Sequence, residues 1–239
     1  NITNPANLTA LSPVTAYDVY VRAQCDDDTS LWIGPLSFTT ACATFIPPYV
    51  QDFTLFEPEC WEKADNGDWT EGPQNFGFSS WFSDGYANLG FEGAPKINLF
   101  TLGKSDWLVS PIIDATNGGP YQVEFDVAIT QFASQIPATM GSDDEVRFLI
   151  SEDNGASWTT LEIWTSDSLI QEGGQHYVID LEEYFGQELQ FAFWGTEGSI
   201  DDIEDVDFFV DNFEVVDGPN ALMATVEVLN INCNSDGDG

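Results

Sequence analysis

The chain has 239 residues, 43% of them hydrophobic and 14% aromatic, which is enough apolar material for one large folded domain or two modest ones. Five Lys and Arg residues face 41 Asp and Glu residues, and the net charge of −36 disfavours nucleic acid and anionic membrane surfaces as partners. The sequence has no run of about 18 apolar residues, so we expect no membrane insertion.

An acidic balance this large destabilises a compact fold through self-repulsion unless cations compensate for it. Carboxylate and carbonyl oxygens are the ligands that Ca²⁺ prefers, so we expect Ca²⁺ as a bound cofactor. General solubility in salty water, with no specific ion, is the alternative explanation of the charge.

Residues 1–41 contain the strand pattern LSPVTAYDVYVRA, then a polar loop, then W-x-G-P-x-S-F-T-T. This segment resembles the second half of a fibronectin type III domain, in which the positions of Leu11 and Tyr17 lock a corner between strands. The first strands of such a sandwich would precede Asn1. We therefore expect the chain to be an internal piece of a longer protein.

The chain has four cysteines, Cys25, Cys42, Cys60 and Cys233, and a single histidine. No two of the cysteines form a CxxC pair, so a zinc site is not expected. Cys42 and Cys60 flank a candidate first strand and are the preferred disulfide pair, which fits an oxidising, extracellular compartment. The pairing of Cys25 and Cys233 is left open.

Residues 42–217 contain strand-like runs separated by Gly, Asn, Asp and Pro, the pattern of an all-β antiparallel sandwich. The clearest runs are WLVSPII, YQVEFDVAI, EVRFLIS, TTLEIWT, HYVIDL, LQFAFWGT and FFVDNFEVV. Four spaced motifs, QDFTLFEPECW, ADNGDWTEG, SDWLVSPIID and FFVDNFEVV, resemble the MAM-like and cleaved-adhesin jelly rolls of large secreted bacterial surface proteins. Residues 218–239 are predicted to be a linker and the start of a further β-repeat.

The jelly-roll resemblance also implies a Ca²⁺ ion that ties the first strand to the last. The matching positions are Asp52 beside the first strand, Asp65 and Asp68 in ADNGDW, and Asp211 on the last strand. Thr54 stands where the family often has an acidic residue. A hydrogen-bonded Asp211 without metal is the alternative, because an unpaired carboxylate between apolar neighbours is costly.

Three further acidic runs lie on predicted turns: CDDD at residues 25–28, SDDE at 142–145 and SIDDIEDVD at 199–207. Carboxylates on turns between strands can converge on Ca²⁺, which tolerates irregular geometry. Solvated loops on an acidic surface are the alternative, and for the first two runs the favoured one.

SEDNGASW, at residues 151–158, fits the Asp-box pattern S-x-D-x-G-x-S/T-W that is familiar from sialidases. A sialidase needs several such boxes and a cluster of arginines, whereas this chain has one box and two arginines, Arg22 and Arg147. We therefore expect a structural hairpin in which Asp-Asn-Gly forms the turn and Trp158 packs beneath it.

Residues 76–93 place aromatic side chains between polar and Gly residues. Aromatic faces beside Asp and Asn are typical of carbohydrate clefts, and Trp81 and Tyr86 are the candidate ligand contacts. Core packing is the alternative and the favoured one, because alternating aromatics in a strand more often face the interior of a sandwich.

Catalysis has little support in the sequence, because His176 has no accompanying nucleophile motif such as G-x-S-x-G. We therefore expect a non-catalytic, calcium-stabilised adhesion or stalk segment of a large multidomain secreted or cell-surface protein. Its partners would be a cell-surface glycan or protein and the neighbouring modules of the same chain. The alternative is an accessory or carbohydrate-binding module of a secreted peptidase or glycoside hydrolase.

Overall fold

A computed structural model describes residues 7–219, and strands form where the sequence alternates or clusters β-branched and aromatic residues. Two single-turn 3₁₀ helices cover Tyr86–Asn88 and Glu182–Tyr184. The strands are β1 (Ala16–Val21), β2 (Gln24–Cys25), β3 (Asp28–Thr29), β4 (Ile33–Thr39), β5 (Tyr49–Gln51), β6 (Glu62–Asp65), β7 (Asn75–Phe76), β8 (Phe82–Asp84), β9 (Ala94–Leu99), β10 (Ser105–Val109), β11 (Ile113–Asp114), β12 (Tyr121–Gln131), β13 (Glu145–Ser151), β14 (Thr159–Trp164), β15 (Gln175–Asp180), β16 (Glu188–Thr196) and β17 (Val206–Asp217).

Strands β5 to β17 form two antiparallel sheets. One sheet has the order β14-β13-β16-β10-β6-β7, with β11 also paired to β16. The other has the order β15-β12-β17-β9-β8, with β5 also paired to β17. The predicted all-β antiparallel sandwich is therefore confirmed. Among residues 7–219, no helix is both long and apolar enough to cross a bilayer.

Aromatic side chains of the two sheets meet in one core. The ring of Phe125 on β12 lies 4.5 Å from that of Phe148 on β13 and 5.2 Å from that of Phe193 on β16. All three side chains are fully buried. Removing a side chain of this size from water stabilises the fold by about 1.5–3 kcal/mol, so these aromatic residues contribute strongly to holding the two sheets together.

The first strand of the sandwich lies beside its last strand, as the jelly-roll resemblance implied. Strand β5 pairs antiparallel with β17, with Gln51 opposite Phe213. The predicted disulfide is also confirmed: Cys42 and Cys60 are bonded, with their Cα atoms 5.8 Å apart. It joins the segment before β5 to the segment before β6.

Residues 7–48 contain a separate antiparallel pair, β1 with β4, and the small hairpin of β2 and β3. The Tyr17 ring stacks on Phe38 at 5.8 Å, and the Tyr17 hydroxyl accepts the Ser12 amide. None of residues 7–48 is fully buried. The fibronectin type III assignment of residues 1–41 stays a prediction, and the predicted β-repeat at 220–239 lies outside the described residues.

The segment between β6 and β7 covers the outer face of the seven-stranded sheet. The Gly67 carbonyl accepts the indole N–H groups of Trp107 and Trp194, at 3.0 and 3.2 Å. Gly67 has a φ of 89°, and a Cβ there would lie 2.0 Å from the Gly72 carbonyl oxygen, so only glycine fits. The hydrogen bonds of Trp107 and Trp194 therefore depend on the turn formed by the sequence ADNGDW.

The Asp-box is a hairpin turn between β13 and β14, as predicted. Asp153 accepts the Ser157 amide at 2.8 Å and the Ser157 hydroxyl at 2.6 Å, and Ser151 accepts the Gly155 amide. These bonds lower the pKa of Asp153. The Trp158 ring lies 5.6 Å from Trp107, under the turn. The motif thus organises the turn and the packing of Trp158 beneath it.

Candidate functional site

The structure brings together two of the four predicted metal ligands. Asp211 on β17 lies opposite Asp126 on β12, at a bulge that shifts the register of the two strands. Burial, followed by the charges of Asp126 and Asp52, raises the pKa of Asp211 to about 6. The pairing of β5 with β17 therefore places the Asp52 charge near enough to act on Asp211.

The other two predicted ligands lie on the opposite sheet and have local partners. Asp65 is on β6, and its carboxylate accepts the side-chain amide of Asn66. Asp68 accepts the amide and hydroxyl of Thr70 in the turn that follows. The jelly-roll resemblance grouped them with Asp211, whereas β6 belongs to the sheet opposite that of β17. Within residues 7–219, no three His, Cys, Asp or Glu side chains converge tightly enough to form a metal site by themselves.

Asp52 itself is committed to a turn. Its Oδ1 accepts the amide of Thr54 at 3.1 Å and the Thr54 hydroxyl at 2.9 Å, and these bonds lower the pKa of Asp52. Its second carboxylate oxygen can still face a cation. Carboxylate oxygens are ligands that Ca²⁺ prefers, and calcium binding by Asp52 and Asp211 stays a prediction.

The two predicted ligand-binding aromatics differ in accessibility. Trp81 is fully buried, with its ring 6.4 Å from those of both Phe193 and Phe208, and its indole N–H donates to the Asp106 carbonyl. Trp81 is therefore a core residue in this structure and does not line a cleft, which corrects the ligand assignment. Tyr86 is partly buried on the outer face of the other sheet, and burial raises its pKa.

His176, which the sequence analysis left without a role, lies between two carboxylates on the outer face of the six-stranded sheet. Its Nδ1 is 2.8 Å from Asp126 and its Nε2 is 2.9 Å from Glu124. The Asn212 side-chain amide holds the other Asp126 oxygen at 2.8 Å. Because carboxylates occupy both ring nitrogens, the arrangement gives His176 no hydroxyl nucleophile to activate.

We expect His176 to stabilise the protein only while it is protonated. The bond to Asp126, followed by the bond to Glu124, raises its pKa above 6.5 in the folded state. The contribution is therefore complete below 6.5 and is lost as the pH rises through the raised value. The difference in melting temperature between the wild type and His176→Gln should be larger at about pH 5.5 than at about pH 9. An equal difference at both values would contradict the assignment.

An open cleft of about 740 Å³ lies where three loops meet. Its walls come from the end of β12 and the loop after it, the loop between β14 and β15, and the loop before β17. Phe132 is 53% exposed here, and Leu169 and Ile203 are more exposed still. Glu204 and Asp205 line the same cleft. No hydrophobic period marks these residues in the sequence, because they lie on loops rather than on a patterned strand.

A buried ion-pair network holds the aromatic wall of the cleft in place. Asp207 is fully buried, and its carboxylate accepts the Ala133 amide at 3.0 Å, the Lys96 ammonium at 3.2 Å and the Asn88 side-chain amide at 3.2 Å. The Phe132 amide donates to the Asp205 carbonyl at 2.9 Å. Two backbone amides of this loop, those of Phe132 and Ala133, are therefore held by Asp205 and Asp207. This favours a preformed binding surface.

The sequence matches no protein-family model, and it matches no curated protein significantly. Several solved structures are similar in fold. The K1 cleaved adhesin domain of Lys-gingipain from Porphyromonas gingivalis is 18% identical, with a TM-score of 0.45 over 71% of this chain and 98% of that one. A xylan-binding module is 9% identical, with a TM-score of 0.39 over 72% of this chain and 99% of that one. Likeness at this level concerns the strand arrangement, and no function follows from it.

Proposed function

We propose that this chain is a non-catalytic, calcium-stabilised binding module of a secreted or cell-surface protein, which adheres to a glycan through the cleft beside Phe132. The observation that carries the proposal is an exposed aromatic ring with carboxylates beside it, on a loop fixed by buried Asp207. Sugars present apolar C–H faces to aromatic rings and hydroxyls to carboxylates. The disulfide supports an extracellular location.

The charge of the cleft narrows the class of glycan. Glu204 and Asp205 line it, and the chain as a whole carries a net charge of −36. Sialylated or uronic-acid sugars would be repelled by this field, and so would nucleic acid. We therefore propose a neutral glycan, whose hydroxyls can donate hydrogen bonds to the two carboxylates.

Calcium in this proposal is held between Asp52 and Asp211. A cation there would join β5 to β17 and neutralise a half-buried carboxylate whose pKa is raised to about 6. In a longer protein such a site would stiffen the module against its neighbours. The same module could serve a secreted peptidase or glycoside hydrolase as an accessory domain, and the domains encoded beside it in the gene would decide between these settings.

The test of glycan binding is affinity electrophoresis through gels that contain neutral polysaccharides, followed by calorimetry on any that retard the protein. Phe132→Ala should weaken binding at least about tenfold, because truncating a central aromatic contact costs more than about 1 kcal/mol. Phe91→Ala is the matched control, since Phe91 is 89% exposed and does not line the cleft. Failure to bind any neutral polysaccharide, or equal binding by Phe132→Ala, would refute the proposal.

A further inference from the structure

A second acidic centre lies where two loops that are distant in sequence meet. Asp143, before β13, accepts the amides of Ser199 and Ile200 from the loop before β17. In return, Asp202 from that loop accepts the amide of Ser142. The two acidic runs SDDE and SIDDIEDVD, which the sequence presents separately, are therefore one structural unit.

Two carboxylates inside this unit are buried without sufficient partners. Glu197 is fully buried and Asp144 is 2% exposed. Among residues 7–219, four buried side-chain polar atoms have no hydrogen-bond partner. Three of the four belong to this unit: the two carboxylate oxygens of Glu197 and the Oδ1 atom of Asp144. A buried polar atom without a partner destabilises the fold, and a charged group does so more strongly, so this concentration indicates a missing partner.

Among residues 7–219, neither Glu197 nor Asp144 forms an ion pair with a cationic side chain. Lys104 is the positive group whose charge acts on Glu197, but its ammonium donates to the Asn98 carbonyl. Burial, followed by the charge of Asp144, raises the pKa of Glu197 to about 7. Burial also raises the pKa of Asp144 to about 6. Both shifts are in the direction that burial produces in a carboxylate.

The space between the acidic groups is tightly defined. The Asp144 Oδ2 accepts the Gly141 amide at 2.7 Å, and the Asp144 Oδ1 has no hydrogen-bond partner. A Cβ at Gly141 would lie 2.9 Å from the Asp202 carboxylate and 3.0 Å from that of Asp144. A side chain at residue 141 would therefore crowd the carboxylates of Asp144 and Asp202.

We propose that Glu197 and Asp144 bind a Ca²⁺ ion, distinct from the one proposed at Asp52 and Asp211. The free atoms are all carboxylate oxygens, which a hard divalent cation prefers and a soft transition metal does not. Two carboxylates can supply three or four of the six to eight oxygens of Ca²⁺, and main-chain carbonyls and water supply the others. This agrees with the absence of a three-side-chain metal cluster among residues 7–219.

The position of this ion connects it to the cleft. Glu197 begins the loop that continues through Ile203, Glu204 and Asp205, and these three residues form one wall of the cleft. A cation at Glu197 would fix the start of that loop and so define the width of the cleft. The metal site itself does not depend on which ligand the cleft takes.

The test is calorimetric titration of chelator-treated protein with CaCl₂, without any glycan, together with melting curves in EDTA and in excess Ca²⁺. The wild type should bind Ca²⁺ and melt at a higher temperature in its presence. Glu197→Gln keeps the shape of the side chain and removes a buried charge, so in EDTA it should melt no lower than the wild type. Adding Ca²⁺ should raise the melting temperature of this variant only slightly, and the affinity of this site for Ca²⁺ should fall at least tenfold.

The controls separate this site from its alternatives. Glu188→Gln is the matched control, because Glu188 begins β16, the strand that ends just before Glu197, and is exposed. The substitution makes the same change in net charge, so this variant should respond to Ca²⁺ like the wild type. Asp211→Asn should remove only the other proposed ion, leaving the Glu197 isotherm intact. A wild type that binds no Ca²⁺, or a Glu197→Gln variant that binds it unchanged, would overturn the inference. Because no glycan is present, neither result depends on glycan binding by the cleft.

Discussion

Replacing Trp81 with alanine is expected to lower the free energy of unfolding by about 3–5 kcal/mol. The side chain is fully buried between the two sheets, so its loss leaves a large cavity beside Phe193 and Phe208. It also leaves the Asp106 carbonyl without its indole donor. Urea denaturation followed by fluorescence and circular dichroism would measure the change.

Phe91→Ala is the control for this prediction, because it removes an aromatic ring from the same segment at a position that is 89% exposed. Phe91→Ala should change the free energy of unfolding by no more than about 0.5 kcal/mol. If Trp81→Ala instead left stability unchanged and altered ligand binding, Trp81 would be a surface contact, and the packing of strands β8 and β9 described above would be wrong.

Loss of the Cys42–Cys60 disulfide should destabilise the protein by about 3 kcal/mol. The bond closes a loop with a sequence separation of 18, and a cross-link of that length restricts the unfolded chain by roughly this amount. The double variant Cys42→Ser, Cys60→Ser should therefore unfold at a lower urea concentration than the wild type. Reduction of the wild type should reproduce the same shift.

Cys25→Ser is the matched control, since Cys25 is exposed and lies outside this disulfide. It should unfold at the same urea concentration as the wild type, and reduction should lower its stability by the same amount as it lowers that of the wild type. A double variant that is as stable as the wild type would mean that the cross-link only joins segments already fixed by β5 and β6. In that case the bond would not contribute to the stability of the sandwich.

Strands with a strong local pattern could be predicted closely from the sequence. EVRFLIS coincides with β13, and YQVEFDVAI lies within β12. Both runs alternate or cluster β-branched and aromatic residues, which suits a pleated and half-buried surface. WLVSPII was predicted as one strand but forms two, β10 and β11. Pro111 lies between them and has no amide hydrogen to continue the ladder.

The region from residue 49 to 99 was predicted less well. Its strands β5 to β8 have two to four residues each, too few to establish a period. Their positions depend on distant partners, since β5 pairs with β17 and β6 pairs with β10. The same long-range pairing decided that Asp52 lies near Asp211 and that Asp65 and Asp68 do not join them.

The sequence by itself determined the all-β class, the Cys42–Cys60 bond, the Asp-box hairpin and the acidic surface, because each depends on composition or on neighbours within about twenty residues. Only the tertiary structure placed Phe132 on an open cleft, Trp81 in the core, and Glu197 beside Asp144 without hydrogen-bond partners. Burial and the meeting of loops depend on how the two sheets stack and on which loops then become adjacent. Neither the stacking of the sheets nor the adjacency of the loops can be inferred from a local residue pattern.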